Sequence, residues 1–123
     1  MSDPNFVILY VKSPAASVAF YETLLGKKPV EASANFAMFA LASGAMLGLW
    51  ARAEVEPAAR ADAGGTELGF PVADDGAVDR THEDWRGRGW SIAQAPTRMD
   101  FGRTFVALDP DGHRLRVFAP AQR

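Results

Sequence analysis

A chain of 123 residues with 48% apolar and 23% charged residues has the size of one ordinary domain or two small fused halves, and is too apolar to be disordered. Thirteen basic against fifteen acidic residues give a formal net charge of −2, which argues against a nucleic-acid binder that needs a basic face. Zero cysteines exclude a disulfide framework, thiolate metal sites and cysteine nucleophiles, and two histidines leave little for histidine chemistry.

The opening MSDPNF carries an acid and a proline where a signal peptide carries lysines and an apolar run. No apolar run approaches the length of a membrane span, so the expected address is the cytoplasm, without membrane insertion. Residues 5–11, NFVILYV, read as a buried strand. Ser13 then caps a helix with Pro14 in its first turn; Val18, Tyr21 and Leu25 recur at helical spacing, and Gly26 stops it. Short strands follow near 28–32, 35–41 and 45–51. Residues 52–65, rich in alanine, glycine and charge, read as a linker.

The second half repeats that order. Residues 66–72 form a strand, and Asp74 or Asp75 caps a helix carrying Val78, Thr81, His82 and Trp85, ended by Gly87 and Gly89. Strands near 90–94, 101–108 and 113–118 follow, with Asp109-Pro110-Asp111-Gly112 as a turn. Val11 matches Val72 and Gly26 matches Gly87 at an offset of 61; Gly44 matches Gly112 and Trp50 matches Phe118 at 68. The second half therefore holds about seven extra residues before its last hairpin. Each half is too small to bury a full core alone.

The run LYVKSPAASVAFYETLLG and the closing FVALDPDGHRLRVFAP resemble the glyoxalase/bleomycin-resistance superfamily, also called vicinal oxygen chelate proteins. The resemblance implies an α+β fold of two βαβββ modules forming a concave mixed sheet. Residues 1–123 then make a single glyoxalase-like domain: module one about 5–51, linker about 52–65, module two about 66–120. Enzymes of that superfamily place two histidines and two glutamates around a metal, and the corresponding positions here are Phe6, Gly48, Glu67 and Arg116. Only Glu67 is a metal-binding side chain, so neither metal nor other cofactor is expected. The wording SGAMLGLWAR, SIAQAPTRMDFG and RTFVALDPDGHRLRVFAP is closer to the phenazine antibiotic resistance proteins, a metal-free branch. That likeness implies binding of a phenazine carboxylic acid, such as a griseoluteic acid derivative, with hand-off to an exporter as a further step. It also implies a homodimer with pockets built from both chains.

Strand alternation assigns the faces. Phe6, Ile8 and Tyr10 share one face with Met46, Gly48 and Trp50, while Val7, Leu9, Val11, Leu47 and Leu49 lie under the helix. The second half places Glu67, Gly69, Pro71, Arg114, Arg116 and Phe118 on the corresponding face. A flat aromatic acid suits this set: Trp50 and a facing ring sandwich it, Gly48 and Gly69 leave room at the backbone, and Arg116 or Arg103 pairs with a carboxylate. Phe101 and Arg103 face the same way if Val106 and Leu108 lie under the helix; a one-residue change of register reverses this. Arg116 has the alternative of an internal ion pair with Glu67. Trp85 reads as core, Trp90 as core or pocket rim, His82 as packed and His113 as exposed. Nothing in the chain supplies a nucleophile–base pair, so the leading reading is a non-catalytic binder with no catalytic residue. The alternatives are a lyase- or dioxygenase-like enzyme, with Glu67 as base in its metal-free form, and a small-metabolite sensor.

Overall fold

Branched and aromatic residues resist helix and favour a pleated strand, and Phe6–Val11 forms β1. The computed structural model describes residues 1–121. Its chain divides into two compact units, Met1–Ala61 and Asp62–Arg123. In the first unit the Ser13 side chain accepts a hydrogen bond from Ala16 N at 3.2 Å, Pro14 begins α1 (Pro14–Leu25), and Gly26 ends it at φ 67°. The strands β2 (Glu31–Ala32), β3 (Phe36–Ala40) and β4 (Met46–Ala51) complete a four-stranded sheet in the order β1-β4-β3-β2, with β1 parallel to β4 and the rest antiparallel. Leu9, Val11, Ala37, Phe39, Leu47 and Leu49 are buried with Tyr21 of the helix.

Two apolar assignments need correction. The stripe that α1 buries is Pro14, Ser17 and Tyr21, whereas Val18 and Leu25 are half-buried. A search for apolar spacing passes over Ser17, whose small side chain lets the helix come close to the sheet. Val7, at the outer end of an edge strand, stays 40% exposed instead of packing under the helix.

The second unit contains β5 (Glu67–Pro71), α2 (Asp75–Gly87), β6 (Ser91–Met99), β7 (Gly102–Leu108) and β8 (Arg114–Pro120), its sheet ordered β5-β8-β7-β6. Asp74 caps α2, its carboxylate accepting from Ala77 N at 2.8 Å. Trp85 is buried and meets Phe70, Trp90 and Phe105 at centroid distances of 6.2, 5.4 and 5.4 Å. Trp90 is thus a half-buried member of this ring cluster. His82 packs edge-on to Phe105, while His113 is half-buried, not exposed, because its N–H donates to the Asp109 carboxylate that organises the turn.

The two sheets share one register. Phe6 stands opposite Met46 and Ile8 opposite Gly48; Glu67 stands opposite Arg114 and Gly69 opposite Arg116. These pairs superpose under the same offsets of 61 and 68 that the turn and helix signals give. The extra residues lengthen one hairpin: β6 and β7 have nine and seven residues, against two and five in β2 and β3.

That hairpin reverses the expected face of β7. Phe105 stands opposite Val117 and against the rings of His82 and Trp85, so Phe105 and Ala107 lie under α2, and Val106 stands opposite Arg116. Arg103 goes with Phe105; its Nε donates to Asp79 of α2 at 2.9 Å, so it does not face away from the helix. Phe101 alone lies on the other face, across Gly102, which has φ 137° and lies so near β8 that an added Cβ would sit 2.0 Å from Ala119 O. Alternation cannot be counted through such a residue. Gly102→Ala is expected to destabilise the protein by about 2–4 kcal/mol in urea unfolding. Gly87→Ala, at a helical position with open space around it, should be neutral or stabilising by up to about 1 kcal/mol.

Candidate functional site

Among the described residues each unit has one α-helix for two sheet faces, and the chemistry collects on the face without it. In the first unit that face carries Phe6, Ile8, Tyr10, Met46, Gly48 and Trp50, joined through β3 by Phe36 opposite Trp50 and Met38 opposite Gly48. Phe6, Ile8 and Tyr10 are exposed, at 41%, 45% and 37%. Tyr10 and Trp50 are register partners whose rings meet edge to face, 6.3 Å apart at 79°. They do not form a parallel pair.

The expected space above the glycines is taken by the protein's own rings. A Cβ on Gly48 would lie 2.8 Å from Phe6 and 3.1 Å from Phe36; one on Gly69 would lie 3.4 Å from Phe118. Glycine here lets neighbouring rings lie down on the sheet. Phe36 and Met38 are residues the sequence reading leaves out, although the alternation in FAMFA, with Ala37 and Phe39 buried, marks them.

The helix-free face of the second unit is charged. Glu67 takes a two-pronged bond from Arg116, Nε to Oε1 at 2.6 Å and Nη2 to Oε2 at 2.9 Å. Arg114 Nη2 lies 3.0 Å from the same Oε2. Arg116 Nη1 also donates to Gln94 Oε1 and to Thr104 Oγ1, at 3.3 and 3.2 Å. Thr104 is fully buried and donates in turn to Val117 O at 2.8 Å. Of the two readings left open for Arg116, the internal ion pair is the one formed. Phe101, at the tip of the β6–β7 hairpin, rests edge-on to Phe118, and the Arg116 guanidinium carbon is 5.9 Å from its ring centre. Arg114, Gln94 and Thr104 are the further members of this face. Alternation already points Arg114 there, whereas β6 carries two register irregularities around Gln94 that hide it from counting.

The hydrogen bond from Arg116 lowers the Glu67 pKa; burial opposes this, and the charges of Arg116 and Arg114 add to the lowering. A carboxylate held ionised in this way is a weak proton acceptor near neutrality. The four positions corresponding to the metal ligands of superfamily enzymes do not fit a divalent ion. Phe6 and Gly48 offer no side-chain donor, Arg116 is a cation, and the carboxylate of Glu67 is engaged by two guanidinium groups. Among the described residues no group of three or more His, Cys, Asp or Glu side chains comes together. None of their helices is long and apolar enough to cross a membrane.

This architecture, two four-stranded mixed sheets each backed by a helix, is that of the vicinal oxygen chelate fold. Residues 4–117 match the model of the glyoxalase/bleomycin resistance protein/dioxygenase superfamily, and the chain belongs to that superfamily. It is 30% identical over 117 residues to the phenazine antibiotic resistance protein EhpR of Enterobacter agglomerans, covering 93% of this chain and 89% of the relative. The solution structure of protein ATC0852 from Agrobacterium tumefaciens is 52% identical, with a TM-score of 0.91 over 99% of this chain and 100% of that one. A glyoxalase-related enzyme from Fulvimarina pelagi, 19% identical, shares the fold at a TM-score of 0.83, over 97% and 88% of the two chains.

Because the folded Glu67 pKa is depressed, the pair's stabilisation is present above the ordinary glutamate value of 4.5 and is lost as pH falls through the lowered one. Glu67→Gln should cost about 1 kcal/mol in urea unfolding near neutral pH, a figure discounted for partial exposure. The two proteins should converge in acid, where both side chains are neutral.

Proposed function

We propose that this protein binds a planar aromatic antibiotic, a phenazine carboxylic acid in the first instance, and confers resistance by holding the drug in the cytoplasm without transforming it. The observation that carries this reading is the composition of the helix-free faces: rings at positions 6, 10, 36 and 50 in one unit, and rings at 101 and 118 beside an arginine pair in the other. Exposed and half-buried rings on one unit's free face, and rings beside guanidinium groups on the other's, are unusual for plain packing surfaces, and each is a chemistry that a flat aromatic acid can use. The relation to a phenazine resistance protein along 93% of the chain supports the ligand class. The low basicity of Glu67 supports holding over turnover.

Titrating the purified protein with phenazine-1-carboxylate should quench tryptophan fluorescence saturably. Trp50→Ala should weaken binding by at least about tenfold, the scale for removing a central indole. Absence of any saturable change would sink the phenazine assignment, and an unchanged affinity in Trp50→Ala would move the ligand off that strand.

The same reading includes a homodimer. β1 is an edge strand of its sheet whose Phe6, Val7 and Ile8 are exposed, and exposed apolar edges of this kind invite a covering partner. Sedimentation at micromolar concentration should return twice the chain mass; a monomer there would refute the dimer.

A further inference from the structure

Arginine presents its Nε–H and one Nη–H along a common edge, which a carboxylate takes with both oxygens. Glu67 fills that edge of Arg116, while its Oε2 also lies 3.0 Å from Arg114 Nη2. The matching edge of Arg114 is therefore only half filled. Its Nε is buried and has no hydrogen-bond partner, a costly state for a charged group. Two guanidinium groups against one carboxylate also leave a positive charge uncompensated within the pair.

Oε2 stands between the two arginines, 2.9 Å from one Nη2 and 3.0 Å from the other. With Oε2 as pivot, a swing of Oε1 from Arg116 to Arg114 fills the empty position on Arg114 and vacates the edge of Arg116. Gln94 and Thr104 still hold Arg116 by Nη1, and the Phe101 ring stands beside its guanidinium. A second carboxylate arriving on Arg116 then leaves both arginines fully paired.

We propose that Glu67 is a movable counter-ion, passed from Arg116 to Arg114 when an aromatic carboxylate takes the Nε–Nη2 edge of Arg116. This rests on the function proposed above and adds Arg114 and Glu67 to it as the residues that select an acid over its neutral amide. An amide brings one acceptor oxygen and no charge, so it has no means of displacing Glu67. Arg114 acts by receiving Glu67, a positioning role without direct contact to the ligand.

The test compares phenazine-1-carboxylate with phenazine-1-carboxamide on the unsubstituted protein, Arg114→Lys and Glu67→Gln. The unsubstituted protein should prefer the acid by about tenfold. Lysine at 114 keeps the charge but has no two-pronged edge, and should reduce that preference to about twofold. Glu67→Gln removes the competing carboxylate and should tighten acid binding. In the unsubstituted protein, adding the acid should move the Arg114 Nε–H resonance downfield in nitrogen-proton NMR spectra, and the amide should leave it in place. Equal affinity for acid and amide, a preference untouched by Arg114→Lys, weaker acid binding by Glu67→Gln, or an unmoved Arg114 resonance would each overturn the movable counter-ion. All four are compatible with a drug bound by its rings. Failure of both compounds to bind would remove the proposed function as well.

Discussion

A sheet has two faces, and each unit of this protein has one long helix to cover them. That imbalance governs the rest of the structure. In both units the helix takes the face lined by aliphatic and buried aromatic residues, Leu9, Val11, Leu47 and Leu49 in one and Phe105, Leu115 and Val117 in the other. The opposite face is left to side chains selected by some other requirement. The parallel pairing of β1 with β4, and of β5 with β8, fixes which side chains those are, because one register step would exchange the two faces.

The two faces left over have equivalent positions and different chemistry. Gly48 and Gly69 stand on neighbouring strands of the parallel pair in their respective sheets, and each admits a ring, Phe6 and Phe36 over one and Phe118 over the other. Phe6 and Glu67 occupy matching places, as do Gly48 and Arg116. Thus the first unit presents rings where the second presents an ion pair. Equivalent backbone geometry has been filled with an apolar solution in one unit and a charged one in the other.

Much of this was legible from local chemistry. Ser13, and Asp74 or Asp75, read as caps because a short side-chain oxygen is what a helix start lacks; Ser13 and Asp74 make that bond. The Asp109–Gly112 turn closes through the Asp109 carboxylate, which accepts from Asp111 N and His113 N at 2.9 Å each. The offsets between the halves fixed the strand registers, since each side chain's face follows from its number once the parallel partner is known. What stayed hidden depended on single residues that break the count. Gly102 interrupts the alternation, so Phe101 and Arg103 point to opposite faces although two residues apart. The rings over Gly48 and Gly69 were invisible for another reason: a missing Cβ announces space, and says nothing of which group enters it.

Glu67 shows how a position can be read correctly while its chemistry depends on its neighbours. Alone it is a candidate base or metal ligand. Across the strand from Arg114 and diagonal to Arg116, it becomes an acceptor shared by two cations, and its acidity rises. Arg116 is altered in the same contact, since the hydrogen bond to Glu67 raises its pKa and holds it more firmly charged. Both shifts favour the charged forms, so the contact is strongest as an ion pair. That ionised state follows from three side chains on two adjacent parallel strands, one carboxylate set between two guanidinium groups.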